Sequence, residues 1–138
     1  MKYVKVAAHG LIKKDNKFLI TKRSMADNYM PGYWDIPGGT IKFQENIKDG
    51  LDREIFEETG LRVKIGRIIF CYDFPSGSER HQFQIVYECE YSDGEVTLNL
   101  KDHEEYKWVG MAELQNFKKI AFLDALYDYI VPSDRNID

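Results

Sequence analysis

The chain has 138 residues, the size of one ordinary domain, and its hydrophobic fraction of 43% fits a packed globular protein rather than a disordered one. Its formal net charge of −4, with Lys and Arg scattered along the chain, disfavours a protein that binds long nucleic acid through its phosphates. No segment approaches the roughly 18 apolar residues of a transmembrane helix, and the lysine-interrupted start does not resemble a signal peptide. We therefore expect a cytoplasmic protein that binds no membrane and forms one domain over residues 1–138.

The first part of the chain has the composition of strands joined by turns. Apolar runs at Tyr3–Ile12 and Phe18–Thr21 flank the turn residues Asp15-Asn16, which predicts a strand pair. The polar segment Ser24–Gly32 follows and is predicted to be a loop. Trp34–Gly39 is then expected to be a short extended segment that closes in a double-glycine turn.

The segment Asn46–Thr59 carries the clearest helical pattern of the chain. Its apolar residues Ile47, Leu51 and Ile55 recur at four-residue spacing, which is typical of one face of a helix. Gly60 follows directly, where a left-handed residue commonly ends a helix. We predict a helix over this segment.

The rest of the chain is predicted to be mostly strands with two helices near the end. The predicted strands are Val63–Phe74, His81–Tyr91, Glu95–Leu100 and Tyr106–Val109, with a turn at Pro75–Ser78. The predicted helices are Met111–Asn116 and Lys119–Ile130. Cys71 and Cys89 lie in strand-like segments and are expected to be buried free thiols. This order of elements fits a mixed β-sheet flanked by helices on two sides.

Three glutamates occupy one side of the predicted helix. Glu54, Glu57 and Glu58 stand at positions i, i+3 and i+4, within an arc of about 100°. Like charges at this spacing repel one another, and Arg53 alone does not neutralise three anions. A divalent cation would, and clustered carboxylate oxygens favour Mg²⁺ or Mn²⁺ over zinc. The alternative interpretation is a solvated helix face that binds no metal.

The residues around these glutamates form a recognisable motif. Counted from Gly39, five residues precede Glu45, seven more precede Arg53-Glu54-Ile55, and Glu57-Glu58 and Gly60-Leu61 follow after single residues. This pattern matches the signature of the Nudix hydrolases at every specified position. The resemblance implies an α/β/α sandwich and substrates in which a nucleoside diphosphate is linked to another moiety.

The resemblance also implies roles for the residues of the motif. Glu54, Glu57 and Glu58 are expected to bind the metal, with a carbonyl oxygen of Gly39 or its neighbour Gly38 completing the set. Arg53 and Glu45 are expected to orient these carboxylates, a role whose loss typically costs about 10- to 100-fold.

Two locations remain open for the general base of such a reaction. Glu54 is one candidate, because it lies within the motif. The other is the segment Asp102–Glu105, which resembles the Glu-His-any-Glu-Tyr-any-Trp stretch common in the family. Asp102 stands there in place of the usual glutamate and has a shorter reach. A polar loop before a strand would produce the same pattern.

Aromatic residues on the two long strands are candidates for contact with a nucleobase. Tyr72, Phe74 and Phe83 could each stack on a base, although alternation along a strand also places aromatic residues in an ordinary core. Among the three histidines, His103 is the one with the strongest expectation of a functional role.

The motif does not name the substrate. The compact domain and the Tyr72–Pro75 segment are most similar to MutT-type members, which convert nucleoside triphosphates, including oxidised ones, to the monophosphate and pyrophosphate. A nucleoside triphosphate is therefore the first candidate substrate. ADP-ribose or a nucleotide sugar comes second and a dinucleoside polyphosphate third. A non-catalytic nucleotide sensor is the alternative from another class, and the protein is expected to be a monomer or homodimer.

Overall fold

A computed structural model describes residues 1–131, in which seven strands form one sheet with helices on both of its faces. The strands are β1 (Tyr3–Lys14), β2 (Lys17–Arg23), β3 (Trp34–Asp35), β4 (Gly38–Thr40), β5 (Arg62–Ser76), β6 (Arg80–Asp93) and β7 (His103–Val109). The helices are α1 (Ile47–Thr59) and α2 (Ala121–Ile130), with a 3₁₀ helix at Met111–Asn116. The predicted strand pair at the start, the long helix and the two long strands are confirmed.

The sheet is mixed because one of its strand pairs is parallel. Strand β1 lies parallel to β6 from Tyr3 opposite Arg80 to Lys13 opposite Glu90. The other pairs are antiparallel, with β6 beside β5, and β2 beside β1, β3 and β7. The short strand β4 pairs with the middle of β1, which places its glycines at the centre of the sheet. The double-glycine turn predicted here is wrong, because Gly38 and Gly39 are the first two residues of β4. The predicted mixed sheet flanked by helices is confirmed.

Helix α1 covers one face of the sheet. Its buried residues Leu51 and Ile55 pack with Ala8, Ile12 and neighbouring side chains of the central strands. Gly10 on β1 permits this close packing, because a Cβ atom there would lie 2.9 Å from Ile55 Cδ1. The apolar spacing in the sequence therefore identified the face of α1 that is buried.

Both ends of α1 are capped, and the C-terminal cap is the glycine that the sequence suggested. Asn46, predicted as the first residue of the helix, is instead its N-cap, and the helix begins at Ile47. The Asn46 side chain accepts hydrogen bonds from the backbone N–H groups of Lys48 and Asp49, which would otherwise lack partners. At the other end Gly60 adopts φ 74°, and its N–H donates to Phe56 O.

Helix α2 and the 3₁₀ helix cover the opposite face. The largest contributors from α2 are Phe122, Leu123 and Leu126, which pack with Leu11 and Val86 of the central strands. The helix begins at Ala121 rather than at Lys119, because Ile120 is extended and serves as its N-cap. The sheet is thus buried on two faces, and polar residues on its central strands require a separate explanation.

The strand predicted at Glu95–Leu100 is wrong. This segment runs past the end of α1 instead of joining the sheet, and Thr97 N donates to Thr59 O at 2.8 Å while Asn99 N donates to Glu58 O at 3.1 Å. The carbonyl groups at the end of a helix lack intrahelical partners, so they compete with a sheet edge for such a segment.

The turn between β5 and β6 lies at residues 77–79, slightly later than predicted, because both strands extend further than their apolar runs. The prediction of two buried thiols is wrong for Cys71, which is exposed on the edge strand β5, whereas Cys89 is buried. Within residues 1–131 no helix is both long and apolar enough to cross a membrane. The single-domain prediction for 1–138 includes residues 132–138, which lie outside the described part.

Candidate active site

A cleft of about 490 Å³ opens where β4, the second half of α1 and the start of α2 meet. Gly38 and Gly39 form part of its wall, and Glu54 and Glu58 project into it from α1. The opposite wall carries Phe74 with polar residues of the central strands. The motif residues therefore line a concave site large enough for a small ligand.

Glu54 and Glu58 are partly removed from water inside this cleft. Burial raises the pKa of the Glu58 carboxyl well above its usual range, and the charge of Asp35 acts in the same direction. Burial also raises the pKa of Glu54, although Arg53 beside it opposes this effect. Clustered buried carboxylates are costly unless a cation neutralises them, so this end of the cleft favours a cation.

The two glycines of β4 bring backbone into contact with these carboxylates. A Cβ atom at Gly39 would collide with the Glu54 carboxylate, and one at Gly38 would collide with the Ala8 carbonyl oxygen. The Gly38 N–H also donates a long hydrogen bond of 3.4 Å to Glu58 Oε2. The absence of side chains at these two positions is what permits Glu54 to lie against β4.

Arg53 links three glutamates at the rim of the cleft. Its guanidinium contacts both oxygens of Glu45, at 2.9 and 3.1 Å, and donates to Glu54 Oε1 at 3.0 Å. The hydrogen bond from Arg53 lowers the pKa of Glu45 to about 2, and Glu45 in turn raises the pKa of Arg53. The two residues are placed to hold Glu54, as their expected orienting role requires.

Glu57 is placed differently from the other two glutamates of the motif. Its side chain is 55% exposed and lies 3.3 Å from Arg53 Nη1, and it is not among the residues that line the cleft. Its expected role as a metal ligand would require the side chain to turn away from Arg53.

The second candidate for a base, Asp102, also lies in the cleft. It comes just before β7 and lines the wall together with Asp35 and His103. The neighbouring Glu104 is directed elsewhere, because it accepts a hydrogen bond of 2.7 Å from Met25 N. Within the segment Asp102–Glu105, Asp102 is therefore better placed than the two glutamates to reach a ligand in the cleft.

The three aromatic candidates lie in different places. Phe74 lines the cleft, and Tyr72 packs beside it with the ring centroids 6.0 Å apart. Phe83 is not among the cleft residues: it alternates along β6 with Gln82 and Gln84, which are, and its ring lies 4.5 Å from that of His81. The suggested base contact of Phe83 therefore does not fit its position, because successive residues of a strand point to opposite faces.

Several polar residues of the cleft were missed in the sequence. His9, Gln82 and Gln84 lie on the central strands β1 and β6, and His9 Nε2 lies 2.6 Å from Gln84 Oε1 while Nδ1 donates to Ile36 O at 3.1 Å. The glutamines had the pattern of a solvated strand face. The two glutamines stand out as candidate site residues only when the structure shows that helices cover both faces of the sheet.

The donor set of the cleft fits Mg²⁺ without forming a complete cage for it. In residues 1–131 no three acidic, histidine or cysteine side chains are already gathered as a ligand group. Mg²⁺ usually keeps several waters and is bound by one or two carboxylates together with substrate phosphates. Glu54 and Glu58, with a backbone carbonyl of Gly38 or Gly39, could hold Mg²⁺ in this way.

Relatives of this chain are named as pyrophosphatases and diphosphatases, so the carboxylate-bearing helix beside the glycines of β4 belongs to a hydrolase of the pyrophosphohydrolase class. The chain belongs to the Nudix family, since the family model of the NUDIX domain matches residues 1–130.

Two named relatives and a solved structure are similar over most of the chain. The ADP-ribose pyrophosphatase of Methanocaldococcus jannaschii is 36% identical over 118 residues, which are 85% of this chain and 66%, just under two thirds, of that protein. The 8-oxo-dGTP diphosphatase of Buchnera aphidicola is 30% identical over 117 residues, 85% of each chain. The crystal structure of a MutT protein from Methanosarcina mazei Go1 has a TM-score of 0.82 and 28% identity, and the match covers 99% of this chain and 97% of that one.

Proposed function

We propose that this protein hydrolyses a phosphoanhydride bond of a nucleoside diphosphate linked to another moiety, with Mg²⁺ as the cofactor and Mn²⁺ as a possible substitute. The favoured substrate is a nucleoside triphosphate, with oxidised ones included, which would give the monophosphate and pyrophosphate. The observation that carries this proposal is the placement of Glu54 and Glu58 in one cleft beside Gly39. A polyphosphate cannot approach these carboxylates without a cation between them.

The residues of the cleft have distinct tasks in this reaction. Glu54, Glu58 and a backbone carbonyl of Gly38 or Gly39 would hold Mg²⁺. When bound, the ion offsets phosphate charge and lowers the pKa of a coordinated water. Arg53 and Glu45 fix Glu54 in position through the contacts described above. A carboxylate must also accept the proton of the attacking water, and Glu54 and Asp102 both line the cleft. We keep both as candidates for this base.

The opposite end of the cleft suits a nucleoside. Phe74 offers a ring for stacking, and Gln82 and Gln84 carry amides that both donate and accept hydrogen bonds. The similarity to the 8-oxo-dGTP diphosphatase and to the MutT protein supports a nucleoside triphosphate.

ADP-ribose, or a nucleotide sugar, is the second candidate substrate. The specific observation in its favour is the 36% identity to a relative named as an ADP-ribose pyrophosphatase. A dinucleoside polyphosphate comes third. The three classes share the phosphoanhydride that the acidic end of the cleft would bind, so they differ in what occupies the rest of the site.

A panel of nucleotides with Mg²⁺ tests the function directly. Purified protein should release pyrophosphate from nucleoside triphosphates, including 8-oxo-dGTP, or convert ADP-ribose to AMP and ribose phosphate, and EDTA should abolish either activity. The ratio of kcat/KM values for these substrates decides between the two classes. Tight nucleotide binding without turnover on the whole panel would contradict an enzyme and favour a sensor.

Phe74→Ala should weaken substrate binding more than it slows the chemical step. Loss of one base–aromatic stack costs about 1–3 kcal/mol, so KM should rise by about 5- to 100-fold while kcat changes by less than about threefold. Steady-state kinetics on the preferred substrate measure both quantities. Phe83→Ala is the matched control, because it removes the same ring outside the cleft, and it should lower Tm but leave KM unchanged. Equal effects of the two variants on KM would contradict the assignment.

A further inference from the structure

Three buried side-chain atoms in the described part of the chain have no hydrogen-bond partner, and all three lie at one corner of the sheet. They are Thr21 Oγ1 and the two ring nitrogens of His103. Thr21 is 0% exposed and His103 only 4%. An unpartnered buried polar group is destabilising, so a folded protein normally supplies a partner for it from protein or water.

The strand pairing brings these two residues close together. Arg23, two residues after Thr21, is paired with His103 across β2 and β7, next to a bulge. Thr21 is itself opposite Asp35 on β3, and Asp35 is 4% exposed. Diagonal neighbours in an antiparallel pair lie about 7–8 Å apart at their Cα atoms, so the Thr21 and His103 side chains are near neighbours.

The second buried histidine, His9, has hydrogen-bond partners at both of its ring nitrogens. His9 also lies in the cleft wall, and each of its ring nitrogens has an oxygen atom within 3.1 Å. His103 lines the same cleft without any such contact. The missing partner is therefore local to the Thr21–His103 corner rather than a general property of the cleft.

The chemistry of the unpartnered atoms restricts what can bind between them. Burial lowers the pKa of His103, and its neutral ring has one donor and one acceptor nitrogen. The two ring nitrogens point in different directions, so one small molecule reaches only one of them together with Thr21 Oγ1. At that nitrogen a metal cation fits only an acceptor and a phosphate oxygen fits only an N–H, whereas water fits either tautomer. Water both donates and accepts, and buried waters typically make about three hydrogen bonds to such groups.

We propose that Thr21 and His103 form the binding site of an internal water molecule at the inner wall of the cleft, next to Asp35. The third hydrogen bond of this water goes to the Asp35 carboxylate. That carboxylate accepts from Ile36 N at 2.7 Å but has only a long contact of 3.4 Å with Arg23 Nη1. The water thus gives partners to Thr21 Oγ1, to one ring nitrogen of His103 and to the Asp35 carboxylate.

This water connects the β2–β7 pair to the acidic end of the cleft. Asp35 and Glu58 line the same cleft. An Asp35 carboxylate held in place by the water keeps its negative charge at this end of the cleft, so loss of the water should weaken binding of a cation there by about 10-fold. This last step rests on the proposed function, whereas the water site itself does not.

Thr21→Val separates a hydrated corner from a dry one by the sign of a stability change. Valine has nearly the same shape as threonine but no hydroxyl. If the water is present, it loses a partner, and Tm of the metal-free protein should fall by about 3 °C or more. If the corner is dry, the substitution removes an unpartnered hydroxyl and Tm should rise, which would overturn the proposal.

Conservative variants and a remote control complete the stability test. Thr21→Ser and His103→Gln retain hydrogen-bonding groups and should lose less Tm than Thr21→Val and His103→Phe. Thr97→Val, at an exposed threonine, should change Tm by less than about 1 °C. A crystal structure should show one water within hydrogen-bonding distance of Thr21 Oγ1, and a nucleotide atom there in a complex would overturn the assignment.

Mn²⁺ binding, followed by electron paramagnetic resonance, tests the link to the acidic end. Wild-type protein should bind Mn²⁺, Thr21→Val should bind it about 10-fold more weakly, and Thr21→Ser should remain within about threefold of wild type. If the wild type does not bind Mn²⁺, the proposed function is contradicted. The water site is then tested by the Tm measurements alone. Unchanged Mn²⁺ affinity in Thr21→Val would overturn the positioning role.

Discussion

Glu58→Gln should lower kcat by at least about 10², on the scale of losing one preorganised electrostatic group. The glutamine keeps the oxygen that accepts from Gly38 N but removes the negative charge that a metal ion requires. Steady-state kinetics at saturating Mg²⁺ measure the loss. A kcat within about threefold of wild type would show that Glu58 does not bind the cation.

The same substitution should stabilise the metal-free protein at neutral pH. The pKa of Glu58 is raised in the folded state, so its ionisation costs stability, and this cost is absent well below its usual pKa and grows as the pH rises. Glu58→Gln should therefore raise Tm by about 3 °C at pH 7.5 and have little effect near pH 4. A Tm that falls at pH 7.5 would contradict a destabilising carboxylate.

Two matched substitutions make the Glu58 result specific. Glu57→Gln tests the ligand set implied by the motif, which predicts a comparable loss of kcat, whereas the exposed position of Glu57 beside Arg53 predicts a smaller one. Glu90→Gln removes an exposed carboxylate of β6 outside the cleft and should change neither kcat nor Tm appreciably.

Arg53→Lys is expected to have the second largest effect, although it keeps the positive charge. Lysine cannot reproduce the planar fork that contacts both oxygens of Glu45 and also reaches Glu54. Glu54 would then lose its fixed position, so kcat should fall by about 10- to 100-fold, with a smaller change in KM. Kinetics and thermal denaturation of the same preparation measure both consequences.

Arg67→Lys is the control for this change. Arg67 contacts Glu88 at 3.1 Å on the surface, with 80% of its side chain exposed, and exposed ion pairs contribute little to stability. The control should therefore retain wild-type kcat and Tm. If Arg53→Lys behaves like this control, the network at the rim of the cleft has no positioning role.

The elements that position the site were predictable because their patterns are local. Four-residue apolar spacing and a terminal glycine define α1 within one continuous stretch, and the same stretch carries the glutamates. The mixed sheet followed from the order of strands and helices. In each case neighbouring residues along the chain contain the required information.

The other features depend on contacts between distant segments. The outward position of Glu57 depends on the pairing of Arg53 with Glu45, and the opposite placements of Gln82 and Phe83 depend on which face of β6 borders the cleft. The segment Glu95–Leu100 had strand-like composition, but the end of α1 offered it hydrogen-bond partners. No short-range pattern contains these outcomes, because each is decided by competing tertiary contacts.

The parallel pairing of β1 with β6 also affects how the chain reaches its native state. Tyr3 is paired with Arg80, so β1 must wait during synthesis for a partner strand that is made much later. Contacts between residues so far apart in sequence close slowly, and an apolar strand without its partner is prone to aggregate. Nascent chains that end before β6 should therefore depend on a chaperone, whereas chains that include β6 can complete the centre of the sheet.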